Sequence, residues 1–474
     1  MTVDRYKKIN KEILLVFSLV FVSFGIHFFF RVDGFGEQDS ARIANLVLRN
    51  CLYGEGNTGF YITRVSPLYI QFLKGVLCAG LHPRHLPAVM NWVSIIIGSL
   101  CFVPMYYFFK RMINARVAFW GGIFCFFMPA FWLAGIYGMP LIIAFFCFMV
   151  SALFFLRSQL KGKTMCPEII VALLFACLSL NFKADIVLCF GIYLGVSLFV
   201  GSRKKGSYIL AFAIPSVAFV SVLLHGLFLV TPGESQGEFA NRWVQTFPFT
   251  LHAILDRDNL SVLPASMGWF AFVGAILSCL YCLKQTNKQK LLLFIVLTAA
   301  PSYLFWGFII GNSARHIMVA DIFLIFLLTF ILVERTKTVQ GAAIVVGCCI
   351  ILNYFSALPN ASTRMPSSRI FESQKLIQAN VQKYHSYGKE FFELPYSRKI
   401  AVCSFVLPYI FWEVNILAQR VERVRVQDDT HYRVFSDKGI PQEVKFLHGE
   451  NRSYGPVKGW YLWTCEENYR LINQ

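Results

Sequence analysis

Two carboxylates stand two residues apart in the stretch Gly34-Phe35-Gly36-Glu37-Gln38-Asp39-Ser40-Ala41-Arg42-Ile43-Ala44. This stretch follows the first long apolar segment, residues 13–30, and precedes a short amphipathic run. Acidic side chains at the mouth of a membrane domain are costly to keep there, so they are usually functional or firmly paired. Glu37 and Asp39 are therefore the first candidates for a site, provided that the rest of the chain builds a membrane domain around them.

The composition is that of a polytopic membrane protein. Of the 474 residues, 56% are hydrophobic and only 15% are charged, which is more apolar than soluble globular domains usually are. Most of the 14 cysteines lie inside apolar runs, where they act as small hydrophobic side chains. No pair of CxxC motifs indicates a zinc ribbon. The expected fold class is an all-α polytopic membrane protein.

The apolar segments predict about eleven transmembrane helices. A span needs about 20 mostly apolar residues, within a range of about 17–25. The first segment follows a basic N-terminus and has no small-residue cleavage site, which favours a retained signal anchor. The fifth and sixth segments are short, so they are two tilted spans or a re-entrant hairpin. The candidates are 13–30, 86–109, 117–136, 138–156, 168–182, 186–201, 208–230, 262–283, 291–311, 317–333 and 339–358.

Basic residues indicate the orientation. With the N-terminus in the cytoplasm, the short connections on the far side carry only Lys183 and Arg315. This asymmetry is the positive-inside pattern, and it accounts for much of the net charge of +18 without a nucleic-acid partner. The cytoplasmic connections carry Arg5, Lys7, Lys8, Lys11, Lys110, Arg111, Arg116, Arg157, Lys161, Lys163, Arg203, Lys204, Lys205, Lys284, Lys288, Lys290, Arg335 and Lys337.

Three longer polar segments are expected on the outer side: a first loop at 31–85, a second at 231–261, and a tail from about residue 359. The tail is long enough to form its own hydrophobic core. We therefore expect a transmembrane domain, residues 1–358, and an extracytoplasmic domain, residues 359–474.

The tail is expected to be a small α/β or α+β domain. Residues 399–406 and 420–426 contain alternating β-branched residues and predict strands, whereas 372–384 predicts a helix. Cys403 and Cys465 lie on the side of the membrane where disulfides form. They are either bridged to each other or two buried free thiols.

The acid pair is suited to proton transfer or to metal binding. Group transfer needs a base, or a fixed negative charge, near the acceptor nucleophile. Carboxylate oxygens can also ligate a divalent cation, so any metal is expected at Glu37 and Asp39. Gly34 and Gly36 allow a close turn at the membrane surface. Asp39 can instead cap the helix predicted after it, and a cap and a catalyst are compatible roles.

The first loop resembles the GT-C glycosyltransferases, and most of all the branch of the protein O-mannosyltransferases and the lipid A aminoarabinose transferase. The resemblance rests on the acid pair after the first span, on Arg42 and Ala44, and on Arg64 with Ser66-Pro67-Leu68-Tyr69. The eleven spans, the cytoplasmic N-terminus and the outer tail fit the same family. The resemblance covers roughly residues 13–335.

The resemblance implies a reaction and residue roles. It implies transfer of a sugar from a polyprenyl-phosphate donor to a glycolipid, polysaccharide or protein acceptor at the outer face of the cytoplasmic membrane. Asp39 takes the role of the catalytic base or acceptor-positioning residue. Many members of that branch have adjacent Asp and Glu, whereas Ser40 follows Asp39 here, so the role of Glu37 stays open.

The two outward-facing cations are candidates for binding the donor phosphate. Arg and Lys form strong charge-assisted hydrogen bonds with phosphate, and the family resemblance adds His316, which follows Arg315. Alternatively, Lys183 pairs with Asp185 or reaches the surface, and Arg315 contacts lipid headgroups.

Arg42 and Arg64 of the first loop are further candidates for substrate binding. They are interleaved with aromatic residues, as in helices that lie at a lipid surface. Ordinary interfacial anchoring to membrane lipid explains the same pattern.

Two other classes remain open. A transporter or flippase for lipid-linked glycans should show repeated halves with broken spans at matching positions, and the sequence shows no repeat. An O-antigen polymerase or ligase is also a glycan enzyme, but its large loop comes late in the chain rather than directly after the first span.

Overall fold

A computed structural model describes the long apolar part of the chain and short stretches of the tail. The described residues are 2–36, 38–52, 67–162, 166–200, 205–229, 264, 266–305, 314–336, 338–356, 378–379, 382–383, 386, 399–403, 412, 432–435 and 462–465.

Helices dominate the described residues, as the sequence predicted. Four short 3-10 turns join them, at Pro83–His85, Ala184–Cys189, Thr286–Lys288 and Ala314–Ile317. The helices are α1 Thr2–Phe29, α2 Gln38–Leu52, α3 Pro67–Cys78, α4 Leu86–Leu100, α5 Phe102–Met112, α6 Ala115–Phe126, α7 Pro129–Ile136, α8 Pro140–Lys161, α9 Pro167–Phe182, α10 Gly191–Val200, α11 Lys205–Leu229, α12 Trp269–Lys284, α13 Gln289–Ser302, α14 Met318–Glu334 and α15 Val339–Ser356.

Proline and glycine set several of the helix ends. Helices α7, α8 and α9 each begin with a proline, which lacks the N–H that would have no partner in the first turn. Helix α8 ends at Lys161, and Gly162 follows with a φ of +63°, the left-handed conformation that closes a helix at low cost in glycine. The chain can therefore reverse direction between long apolar segments.

The apolar helices indicate a membrane protein. Helices occur in all eleven predicted segments. Among the described residues, four are long and apolar enough to span a membrane, or six if each bent pair is one span. The bent pairs are α6 with α7, at 68°, and α12 with the segment Thr286–Phe305, at 115°. Eleven spans therefore remain a prediction.

The chain forms two compact units. The first comprises Met1–Arg31, Gly56–Tyr69 and Met90–Leu376. The second comprises Val32–Glu55, Ile70–Val89 and Ile377–Gln474. The sequence-based division at residue 359 stays a prediction.

Helix α14 is at the centre of the first unit. Most of its side chains are buried, as expected of a helix that is apolar on every face. The ring of Phe326 stacks on Phe109 of α5 at a centroid distance of 3.5 Å. A Cβ placed on Gly121 of α6 would lie 2.4 Å from the Phe326 ring, so α6 approaches α14 as closely as it does only because residue 121 is glycine.

The second unit contains a small parallel sheet. Its strands are β1 Lys399–Cys403, β2 Tyr432–Phe435 and β3 Leu462–Cys465, in the order β2-β1-β3. Strand β1 lies within the strand predicted at 399–406, and residues 378–379 and 382–383 are helical within the predicted helix 372–384. The predicted strand at 420–426 lies outside the described residues.

Register in this sheet pairs the two tail cysteines. Cys403 of β1 and Cys465 of β3 are backbone partners, as are Ala401 and Trp463. A disulfide between Cys403 and Cys465 stays a prediction.

Candidate functional site

Three polar side chains converge in the first unit. The Nζ atom of Lys183 lies 3.2 Å from Oδ2 of Asp185, and the Nδ1 atom of His316 lies 2.8 Å from the same oxygen. The side chains are only 11%, 18% and 12% exposed, in the order Lys183, Asp185 and His316. We call these three residues the Lys183 cluster.

Breaks between apolar helices present the cluster. Helix α9 ends at Phe182, and Lys183 follows in an extended conformation. Asp185 lies in the 3-10 turn Ala184–Cys189, before α10. His316 comes from the turn Ala314–Ile317, which leads into α14. The chain thus places polar residues in short turns, where apolar helices stop.

Helix α13 and the residues after it support both turns. The hydroxyl of Tyr303 donates a hydrogen bond to Oδ1 of Asp321, in the first turn of α14. At the start of α10, a Cβ placed on Gly191 would lie 1.9 Å from the backbone carbonyl oxygen of Leu297. Only glycine permits this backbone approach.

Charge and hydrogen bonding determine the ionisation of Asp185. Burial raises the pKa of Asp185, but the positive charge of Lys183 and the hydrogen bond from His316 lower it by more, so the pKa is held well below its usual range. An ionised carboxylate accepts hydrogen bonds only, so Nδ1 of His316 carries the proton in this contact.

An apolar pocket adjoins the cluster. Its lining includes Lys183 and His316, together with Tyr137 at the end of α7 and Met139 before α8. Leu133, Ala134 and Leu141 complete the lining. The space is small, about 10 Å³, which is room for about one water molecule. Its lining places two cation-forming groups, Lys183 and His316, beside apolar walls, and such groups bind anions through charge-assisted hydrogen bonds.

The acid pair lies in a part of the chain that belongs to the second unit. Glu37 is outside the described residues. Helix α2 begins at Gln38, so Asp39 is in the first helical turn rather than at the cap position considered from the sequence. Arg42 follows three residues later on α2 and is half-buried.

Tail residues hold the start of the first loop within the second unit. The Phe35 ring is 1% exposed and meets the Trp412 ring edge-on, with centroids 5.0 Å apart. The backbone N–H of Asp33 donates to Oε1 of Gln378 over 3.3 Å. These contacts fix the segment that leads into the acid pair.

The structure thus describes some of the predicted site residues and not others. Lys183 and His316 meet at one carboxylate, and Arg315 lies in the same turn as His316, although its side chain is outside the described residues. The same holds for the side chain of Asp39 and for all of Glu37 and Arg64. The roles of all these residues stay predictions.

Sequence reasoning treated Asp185 only as an alternative partner for Lys183. The salt bridge between them exists, and the same oxygen also contacts His316. An acid two residues from a cation, between two apolar segments, was the available signal. The contact with His316 was not predictable, because 131 residues separate the two positions.

Comparison with known proteins identifies the fold. No family model and no curated protein match the chain. The crystal structure of the Archaeoglobus fulgidus oligosaccharyltransferase in the apo form is similar over 85% of this chain and 63% of that chain, with a TM-score of 0.51 and 12% identity. Its form tethered with an acceptor peptide gives a TM-score of 0.53 over the same shares, also at 12% identity. ArnT from Cupriavidus metallidurans in the apo state gives a TM-score of 0.49 at 13% identity, over 87% of this chain and 76% of that chain.

The similarity to the archaeal oligosaccharyltransferase establishes the fold and nothing more, because identity is only 12%. It bears out the fold that the resemblance of the first loop implied. This chain spans 63% of the length of that oligosaccharyltransferase.

Proposed function

We propose that this protein is a membrane glycosyltransferase that moves a sugar from a polyprenyl-phosphate donor to a glycolipid, polysaccharide or protein acceptor. The observation that carries the proposal is the Lys183 cluster, held between apolar helices of a chain whose fold is similar to that of the archaeal oligosaccharyltransferase. A complex of the archaeal oligosaccharyltransferase contains an inhibitory peptide and a dolichol-phosphate. A lipid phosphate carries the negative charge that Lys183 and His316 can bind.

The proposed reaction is a single displacement. The acceptor oxygen attacks the anomeric carbon, the sugar–phosphate bond breaks, and the lipid phosphate leaves with the bonding electrons. Asp39 takes the acceptor proton or orients the acceptor, with Glu37 beside it in sequence. Lys183, Arg315 and His316 stabilise the charge on the leaving phosphate. Attack opposite the leaving group inverts the anomeric configuration.

The proposal includes a topology. Eleven spans place the N-terminus in the cytoplasm, and place the first loop and the tail outside the cytoplasmic membrane. Arg42 and Arg64 of that loop are proposed to contact the donor or the lipid surface. The positive-inside distribution of Lys and Arg supports this orientation.

A divalent metal at Glu37 and Asp39 is a secondary hypothesis. A structure of the archaeal oligosaccharyltransferase contains Zn and sulfate. Across the part of this chain that the structure describes, no three His, Cys, Asp or Glu side chains are grouped as metal ligands. Loss of transfer on EDTA treatment, with recovery on adding Mg²⁺ or Mn²⁺, would support the hypothesis.

Binding of a lipid phosphate tests the role of the Lys183 cluster. Membranes are illuminated with a photoactivatable polyprenyl phosphate, and labelling of the protein is quantified. We expect Lys183→Gln to lower labelling at least tenfold, since charge-assisted contacts contribute about 1.5–3 kcal/mol each. Lys161→Gln is the matched control, because Lys161 also pairs with an acid, Glu168, outside the cluster. Equal labelling of both variants would contradict the assignment.

A glycan transporter is the alternative. Its inactivation should leave complete lipid-linked glycans unexported, whereas inactivation of a transferase should leave an acceptor without one sugar. Accumulation of whole glycans in a deletion strain would favour the transporter. An O-antigen polymerase or ligase would instead change chain length or attachment of a repeat.

A further inference from the structure

A pair of thiols outside the Lys183 cluster joins two helices of the second unit. The Sγ atoms of Cys51 and Cys78 are 3.4 Å apart. Cys51 lies near the end of α2, and Cys78 is the last residue of α3. We propose that Cys51 and Cys78 form a native disulfide that ties α2, the helix carrying Asp39, to α3.

The geometry leaves little distance to close. A disulfide has its sulfur atoms about 2.05 Å apart, so the thiols at 3.4 Å need to approach by little more than 1 Å. The Cys51 thiol also donates toward the backbone carbonyl of Lys74, one turn before Cys78, at 3.7 Å. Two helices are therefore already in contact at this point.

The two thiols differ in access. Cys78 is exposed and Cys51 is half-buried. Burial, and then the hydrogen bond with Cys78, raise the pKa of Cys51 to about 11. Because Cys78 is the exposed thiol, it is the one that an oxidant reaches first.

The oxidant is a disulfide-carrying protein outside the cytoplasm, so the inference rests on the proposed orientation of the first loop. The Cys78 thiolate attacks the partner's disulfide and forms a mixed disulfide. The Cys51 thiolate then attacks the Cys78 sulfur, and the partner leaves as a dithiol that has taken up both electrons. Two thiols become one disulfide, and the partner's disulfide is reduced.

Differential alkylation of the full chain tests the pair. Cells are quenched in acid, free thiols are blocked with N-ethylmaleimide under denaturing conditions, and the protein is then reduced and treated with isotopically labelled iodoacetamide. We expect Cys51 and Cys78 to carry the second label, iodoacetamide. Cys348 is the exposed control thiol, and we expect it to carry the first label, maleimide. Maleimide on both Cys51 and Cys78 in cells would overturn the proposal.

Single variants identify the partner. In Cys51→Ser, Cys78 should become free and take the first label, and the reverse should hold in Cys78→Ser. If Cys78 stays oxidised in Cys51→Ser, it pairs elsewhere and the proposal is wrong. As a second readout, reduction should lower the thermal unfolding midpoint of the wild-type protein by more than that of the Cys51→Ser/Cys78→Ser variant, in which any bridge between Cys403 and Cys465 is kept. An equal shift in both would contradict the bond. Neither assay depends on glycosyl transfer, so the two proposals fail separately.

Discussion

At the scale of single residues, Asp185 controls the charge of the Lys183 cluster. Its carboxylate neutralises Lys183 and fixes the ring of His316 through Nδ1. A Lys–Asp pair has no net charge, so in the proposed reaction the net positive charge comes from Arg315 and a protonated His316, while the Lys183 ammonium still offers N–H donors to a phosphate. Asp185 therefore acts as a positioning residue in the proposed reaction.

Removing the Asp185 charge should destabilise the protein. In Asp185→Asn, the Lys183 ammonium keeps its charge with 11% side-chain exposure and loses its carboxylate. A hydrogen bond to a charged group is worth about 1.5–3 kcal/mol, so the thermal unfolding midpoint in detergent should fall measurably. Lys183→Gln added to Asp185→Asn should recover part of the loss, because it removes the unpaired charge.

Glu168→Gln is the control for this measurement. It breaks the Lys161 pair, where the lysine is 57% exposed and the contribution to stability is small. A midpoint shift for Glu168→Gln as large as that for Asp185→Asn would contradict a special role for the buried pair.

The lowered pKa of Asp185 predicts a pH window. The folded-state pKa is below the ordinary value of about 3.9. The stability that Asp185 contributes is therefore fully present above about pH 4, and is lost as pH falls through the folded-state pKa. The midpoint difference between wild type and Asp185→Asn should persist from pH 8 to pH 5 and shrink below pH 4. A difference that disappears between pH 7 and 5 would contradict this ionisation state.

At the scale of elements, the cluster depends on a close contact between α10 and α13. A Cβ added to Gly191 would lie 1.9 Å from the backbone carbonyl oxygen of Leu297. Because that oxygen belongs to the backbone, it cannot move aside as a flexible side chain can. Gly191 begins α10, directly after the turn that carries Asp185. Packing of two helices thus determines where the Asp185 carboxylate lies.

Gly191→Ala should separate these helices. Overpacking of a tight contact costs about 1–3 kcal/mol, so we expect a lower unfolding midpoint and weaker labelling by the polyprenyl phosphate. Gly25→Ala in α1 is the matched control, since nothing lies within 4 Å of its added Cβ. Indistinguishable behaviour of the two variants would show that the contact does not constrain the site.

Local patterns predicted the elements better than their junctions. Apolar runs bounded by Pro or Gly gave helices such as α8 and α9, because burial and helix-end chemistry are local properties. The bend of 68° between α6 and α7 was not predicted within the single segment 117–136. Strands β2 and β3 span only four residues each, and their parallel pairing with β1 depends on partners far along the chain.

At the scale of the whole molecule, the order of hydrophobic segments carries the fold. This chain is only 12% identical to the archaeal oligosaccharyltransferase, yet the two structures give a TM-score of 0.53. Such a likeness is possible because many different combinations of apolar side chains can fill the space between helices packed in the same way. Composition and cation placement were enough to predict a polytopic membrane protein. The contact of His316 with Asp185 could be seen only in the structure. No local sequence pattern links the turn Ala314–Ile317 to the turn Ala184–Cys189.

Asp39 is proposed to serve the sugar transfer as the base or the acceptor-positioning residue. The decisive measurement is a mass-spectrometric profile of envelope glycolipids, polysaccharides and glycoproteins in a deletion strain restored with wild type, Asp39→Asn or Asp33→Asn. Asp33 is an exposed acid of the same loop and serves as the control. We predict that one sugar is missing from one acceptor after deletion, and that wild type and Asp33→Asn restore it. Loss of a general base lowers rates by about 10²–10⁴-fold, so Asp39→Asn, at equal membrane abundance, should not restore the sugar. Full restoration by Asp39→Asn would contradict the catalytic assignment.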